Sequence, residues 1–159
     1  MEHSLPCKID TDFLCFIVIL LLRKHARIGI LCSMLAKSLK PVKWVGSSRK
    51  DMKAMPESVQ DIFVFALYLA QLGDKHPDAK PLKGFSGAGV VEIVEDFSSD
   101  SYRAVYTVKF DDAVYILHVF RKKSTHGTST APKEEIEKVK ARLKVVEEMQ
   151  QRKGDKRNE

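Results

Sequence analysis

YRAVYTVKFDDAVYILHVFRKK, residues Tyr102 to Lys123, holds two apolar-rich runs separated by Asp111 and Asp112 and closed by three cations. Runs dense in Val, Ile, Tyr and Phe fit a pleated, half-buried surface, and an acidic pair between them is turn chemistry, so the stretch reads as a β-hairpin. With a two-residue turn, Phe110 pairs with Ala113, and the ladder sets Val105 opposite His118 and Arg103 opposite Phe120. Opposed residues share a face. One face then carries Tyr102, Ala104, Tyr106, Val108, Phe110, Ala113, Tyr115, Leu117 and Val119, and is expected to meet the core. The other carries Arg103, Val105, Thr107, Lys109, Val114, Ile116, His118, Phe120 and Lys122. It brings Arg103 and Lys122 together beside an aromatic ring and an imidazole, which makes it the candidate functional face. An odd-numbered turn would slip the register by one residue and separate Lys122 from Arg103.

Upstream of the hairpin, Val90 to Val94 reads as a strand that continues through Glu95 and Asp96 to a polar turn at Ser98 to Ser101, so three strands form an antiparallel meander. Before it, Lys80 to Gly89 is rich in turn residues. Gly84, Gly87 and Gly89 suggest a phosphate cradle only superficially, because no Lys-Ser/Thr pair follows and the next element is a strand. The stretch reads as a β-connection to which Lys80 and Lys83 add charge. Further back, Val42 to Val45 with Trp44 suggests a first strand, and Ser47 or Ser48 a cap for a short helix through Met52. Pro56 opens a longer helix in which Val59, Ile62, Phe63, Ala66, Leu67 and Ala70 keep helical spacing, with Gly73 at the C-terminal cap. These two helices read as a hairpin on the sheet, with a stripe that is core. Downstream, a small polar loop leads to Pro132 and a final amphipathic helix with Ile136, Val139, Leu143, Val146 and Met149 on its docking face. A charged tail follows.

The 159 residues are enough for one domain with its own core. Net charge is +6, which favours polyanionic partners such as RNA or DNA. Cys7, Cys15 and Cys32 all precede residue 33, so no disulfide framework holds the main domain, and a reducing cytoplasm is the expected compartment. No Cys/His spacing suits a metal, and neither a metal nor another cofactor is expected.

Residues 1–38 stand apart as an atypical extension. Phe13 to Leu22 is a run of ten apolar residues, followed by Arg23, Lys24, His25 and Arg27 and by a second apolar patch from Ile28 to Leu35. A membrane span needs about 20 apolar residues, and a secretory signal carries its cations before the apolar run. Four readings stay open: a membrane-surface anchor, a helix covering the domain, an oligomer contact, or upstream sequence that is not natively translated. We adopt the last, with Met34 as the start and no membrane partner. The domain then covers 39–150, and 151–159 form the charged tail.

From about Lys40 to Gln150 the chain resembles the phage-derived HigB-like branch of the RelE/ParE toxin superfamily, the toxins of type II toxin-antitoxin modules. The matching stretches are KPVKWVGSSRKDMKAMPESVQ, ALYLAQLGDKHPDAKPLKGFSGAGVVEIVED, YRAVYTVKF and AVYILHVFRKKS. The resemblance implies an α+β, RelE-like fold: a small antiparallel β-sheet with an N-terminal helical hairpin and a C-terminal helix. It also implies a cytoplasmic, metal-independent endoribonuclease that enters the ribosome and cuts messenger RNA by attack of the ribose 2′-hydroxyl on the adjacent phosphate. The partners it implies are the ribosome, messenger RNA and a cognate helix-turn-helix antitoxin in a hetero-oligomer. By motif, Arg103 matches the family arginine of the YR element, and Lys122 and Lys123 match the basic pair ending the last strand.

That chemistry needs a base, cations for the phosphate charge and an acid for the leaving oxygen. Arg103 leads the catalytic set, because a planar guanidinium can hold two phosphate oxygens at once. Lys122 and Lys123 join it, and His118 is a candidate acid or base. Lys80, Lys83, Phe120, Arg121 and His126 are the candidate substrate-binding residues. Where many superfamily members carry an arginine in the preceding strand, this chain has Val94. Two other readings share the architecture: a ParE-like toxin that inhibits DNA gyrase without enzymatic activity, and an inactive phage remnant that only binds antitoxin.

Overall fold

The computed structural model describes residues 39–85, 87–123 and 131–155. The expectations for the N-terminal extension and for His126 lie outside the described residues. The element order is β1 (Val42–Trp44), α1 (Ser48–Lys53), α2 (Glu57–Gln71), β2 (Lys80–Pro81), β3 (Val90–Phe97), β4 (Asp100–Thr107), β5 (Val114–Lys123) and α3 (Lys133–Asp155). The five strands form one sheet in the order β1-β5-β4-β3-β2. The fold is therefore α+β with the expected meander β3-β4-β5. The sheet is mixed, however: β1 runs parallel to β5, pairing Val42 with Val114 and Trp44 with Ile116. The two-residue β2 at the opposite edge was not expected, since Pro81 obscures its strand character.

Helical spacing buries Val59, Phe63, Ala66, Leu67 and Ala70 of α2 against one face of the sheet, where they meet Ile93, Tyr102, Ala104, Tyr106, Val114, Ile116 and Val119. Gly73, at φ +83, ends the helix in the left-handed conformation that favours glycine. On the opposite face Val139, Leu143 and Val146 of α3 cover Val105, Tyr115, Leu117 and Phe120, joined by Leu82 and Phe85 from the connection after β2. The Lys80–Gly89 segment is thus partly a packed element of the second core. Met149, expected on the docking face of α3, is exposed. At that level the face continues through Gln150 and Lys153, which bond to Asp112 beyond the end of the sheet.

The hairpin departs from the expected two-residue turn. Phe110 and Ala113 do not pair; the ladder ends at Thr107 opposite Tyr115, and residues 108–113 form a wider connection. Tyr106 pairs with Ile116, while Val105 pairs with His118, so a bulge at Leu117 restores the register predicted farther along. Arg103 opposite Phe120 is as expected. A bulge places two successive residues on one face. Leu117 and His118 accordingly both face α3, and the predicted face assignments of Val114, Tyr115, Ile116 and Leu117 are reversed. The face read as the functional one is not an open surface either, since α3 lies across part of it.

Candidate functional site

β1 pairs with β5 only as far as Ile116, and β5 continues to Lys123. Beyond the end of β1 its outer edge borders a cleft of about 460 Å³. The sheet supplies Tyr102 and residues 118–121 to this cleft, the start of α1 supplies Ser47 and Asp51, and the first half of α3 supplies Glu135, Lys138 and Arg142.

His118 is among the lining residues and is 5% exposed. Its Nε2 is hydrogen-bonded to Glu135 Oε2, and its Nδ1 lies 2.9 Å from Arg142 Nη1. A guanidinium can only donate, so Nδ1 accepts, and the proton of the neutral ring sits on Nε2, facing the carboxylate. Burial holds the imidazole below its usual pKa, and the Arg142 charge adds to this against the raising effect of Glu135. Burial alone would raise the Glu135 carboxyl, but hydrogen bonds from His118 and Lys138 hold it below its ordinary value. The imidazole stacks on Phe120, ring centroids 5.1 Å apart.

Arg142 joins three elements. Nη1 also donates to the Leu117 carbonyl at 2.8 Å, inside the bulge, and Nη2 donates to Ser47 Oγ at 2.7 Å. Ser47 in turn donates to Asp51 at 2.7 Å. Gly46 makes room for this junction: its φ is +59, and a Cβ there would come within 3.0 Å of Arg142 Nε.

Arg103 belongs to the α3-facing side of the sheet but to a different part of it. It is 5% exposed, and its Nη1 donates to Glu92 Oε2 of β3 at 2.7 Å. Val94, at the position where the resemblance implies a second arginine, is its partner in the ladder. Lys122 stands opposite Ser101, two positions along each strand from the Arg103–Phe120 pair, and therefore shares that face. Lys123 stands opposite Asp100 at the end of β5, and its side chain lies outside the described residues. Arg121 projects to the other face, exposed, with its guanidinium 2.6 Å from Asp100. Lys80 and Lys83 are exposed at the β2 side of the molecule, with β3 and β4 between β2 and β5. The structure thus brings His118, Phe120 and Arg121 together at the cleft and sets Arg103 and Lys122 beside Phe120. It leaves Lys80 and Lys83 apart.

Sequence reasoning missed Glu135 and Arg142, and with them Ser47 and Asp51 as site residues. A signal was present: Glu135, Lys138 and Arg142 each precede an apolar residue of the docking stripe, Ile136, Val139 and Leu143. Polar positions beside such a stripe border the buried face, where their side chains reach the neighbouring element. Among the described residues no group of three or more His, Cys, Asp or Glu side chains is arranged to hold a metal ion. No helix among them is long and apolar enough to cross a membrane.

A family model described as "Phage derived protein Gp49-like (DUF891)" matches residues 50–144, more than half of the chain. The match runs from within α1 into α3 and includes His118, Glu135 and Arg142. Comparison with curated proteins and with solved structures gave no match.

Proposed function

The chain belongs to the phage-derived Gp49-like family, and from that membership we propose that it is the toxin of a type II toxin-antitoxin module, acting as a ribosome-dependent endoribonuclease on messenger RNA. The observation that carries the proposal is the family match across residues 50–144, because this family is associated with RelE/HigB-like toxins. The side chains at the end of the β4-β5 hairpin support it. In the proposed reaction the ribose 2′-hydroxyl attacks the adjacent phosphorus, the bond to the 5′-oxygen breaks, and the products are a cyclic phosphate and a 5′-hydroxyl end. Arg103 and Lys122 offset the charge that builds on the phosphate, and Lys123 at the strand end adds to them. His118 is the group suited to moving a proton near neutral pH. The cytoplasm is the place of action, and a helix-turn-helix antitoxin is the partner that restrains the protein.

Val94 favours one second reading. Its position in the ladder beside Arg103 supplies no cation, which suits a chain that binds without cutting, whether to DNA gyrase or only to its antitoxin. Induction in a bacterial host separates the readings. The proposal expects growth arrest with new messenger RNA ends found by primer extension, and the same cells free of arrest when the gene for the adjacent antitoxin is co-expressed. Growth arrest with intact messenger RNA and relaxed plasmid DNA would overturn it in favour of gyrase.

A further inference from the structure

Arg142 has three hydrogen-bond partners at the cleft, and all of them are neutral: the Leu117 carbonyl, the Ser47 hydroxyl and the His118 imidazole. The other two cations lining the cleft are matched by carboxylates, Arg121 by Asp100 and Lys138 by Glu135. A guanidinium held only by neutral acceptors still favours an anion, because a phosphate supplies the opposite charge and can accept two parallel N–H bonds from the planar fork at once. One of its present acceptors is also the only lone pair of the His118 ring.

We propose that the cleft is a phosphodiester site held by Arg142, and that seating the anion draws the guanidinium off His118 and leaves Nδ1 open to accept a proton. The two states of Nδ1 exclude each other: while Arg142 donates to it, a proton there would face donor to donor. With the guanidinium on a phosphate, the ring takes a proton at Nδ1, keeps Nε2–H on Glu135, and presents a second donor to the cleft. The groups around the ring favour this outcome once Arg142 has turned. Glu135 from α3 attracts an imidazolium more strongly than the Lys138 charge beside it opposes one, Asp51 lies on the α1 wall, and Arg121 is matched by Asp100. On the sheet itself the neighbours are apolar, Val105 opposite and the Phe120 ring alongside.

This inference rests on the reading of the chain as an RNA-directed protein and gives its site a regulated proton acceptor. By linkage, anion binding and protonation of His118 strengthen each other equally. The test is an NMR titration of the His118 ring in the full-length protein, with inorganic phosphate and with a 2′-O-methyl dinucleotide that cannot be cleaved. Saturating anion is expected to raise the midpoint of His118 by about one pH unit, and the dinucleotide, whose phosphodiester does not titrate there, is expected to bind more tightly as pH falls through that range. In Arg142→Gln the midpoint starts higher without anion and no longer responds to it. Ser47→Ala removes one neutral competitor for the guanidinium and is expected to tighten phosphate binding about threefold. A His118 midpoint that ignores saturating phosphate, an undiminished response in Arg142→Gln in a protein whose amide spectrum remains native, or weaker binding in Ser47→Ala would overturn the proposal. The measurement needs neither ribosome nor cleavage, so failure of the ribonuclease reading leaves its outcome intact.

Discussion

Arg103 Nη1 lies 2.7 Å from Glu92 Oε2, joining β4 to β3 through an ion pair of which the arginine side chain is 6% exposed. The residue that the motif selects for phosphate binding is therefore also part of the architecture of the sheet. Removing one member of a buried pair leaves the other charge desolvated and uncompensated, which costs more than the pair contributes.

Arg103→Ala is accordingly expected to lower stability by about 3–5 kcal/mol as well as to abolish activity. Glu92→Gln retains a hydrogen-bonding partner for the guanidinium and is expected to cost less. Denaturant unfolding of both variants checks this. A stability for Arg103→Ala equal to that of the unsubstituted protein would remove the structural role of the pair.

Asp112 anchors the far end of α3. It accepts hydrogen bonds from Lys43 on β1, from Gln150 and Lys153 on α3, and from the Tyr115 hydroxyl. Partial burial would raise its pKa, but the bonds from Lys43 and Lys153 and the Lys43 charge prevail and hold the carboxyl well below its usual range. A depressed carboxylate contributes stability above its unfolded pKa of about 3.9 and loses it as pH falls toward the folded value. Asp112→Asn is expected to cost about 1–2 kcal/mol at neutral pH, tempered by the partial exposure of the carboxylate, and to flatten the loss of stability below pH 4. Thermal melts across that range measure both effects.

His118 gives a loss in the same direction but in a higher pH window. Its folded pKa lies below the unfolded value of 6.5, so the unfolded chain binds the extra proton first. Stability is complete above about pH 6.5 and declines as pH falls from there toward the folded pKa. His118→Gln, which offers a donor and an acceptor without titrating, is expected to remove this component of the slope. Chemical denaturation at about pH 7.5 and pH 5.5 is the check; an unchanged slope in the variant would contradict it.

Much of this fold is legible in the residues themselves. The pairs Arg103–Phe120 and Val105–His118, read from a two-residue turn, hold only because a bulge offsets the wider connection, while the stripe of α2 and the meander follow from spacing. The bulge at Leu117 does not, for a physical reason. The stretch Val114–Val119 is buried on both faces, so apolar residues fill every position but His118, and no alternation marks where two neighbours turn to the same side. The cleft was hidden for a related reason. Its chemistry depends on Glu135 and Arg142 from a helix that reads as a docking element, and charged residues beside an apolar stripe look like a solvated face until the partner element is known. Arg103 was identified by motif, but its burial against Glu92 follows from the register of β3, which places Glu92 opposite Val105 on the same face of the sheet.

The most direct test of the central claim is the chemistry of RNA ends in a reconstituted translation reaction. Messenger RNA incubated with ribosomes and the purified protein is expected to acquire new ends with a 2′,3′-cyclic phosphate on one side and a 5′-hydroxyl on the other, and only when ribosomes are present. Lys122→Ala is expected to reduce the rate of their appearance by about a hundredfold or more, the usual scale for removing one group that stabilises developing charge. Messenger RNA that stays intact beside the active ribosome, or ends that form equally well without ribosomes and with Lys122→Ala, would contradict it.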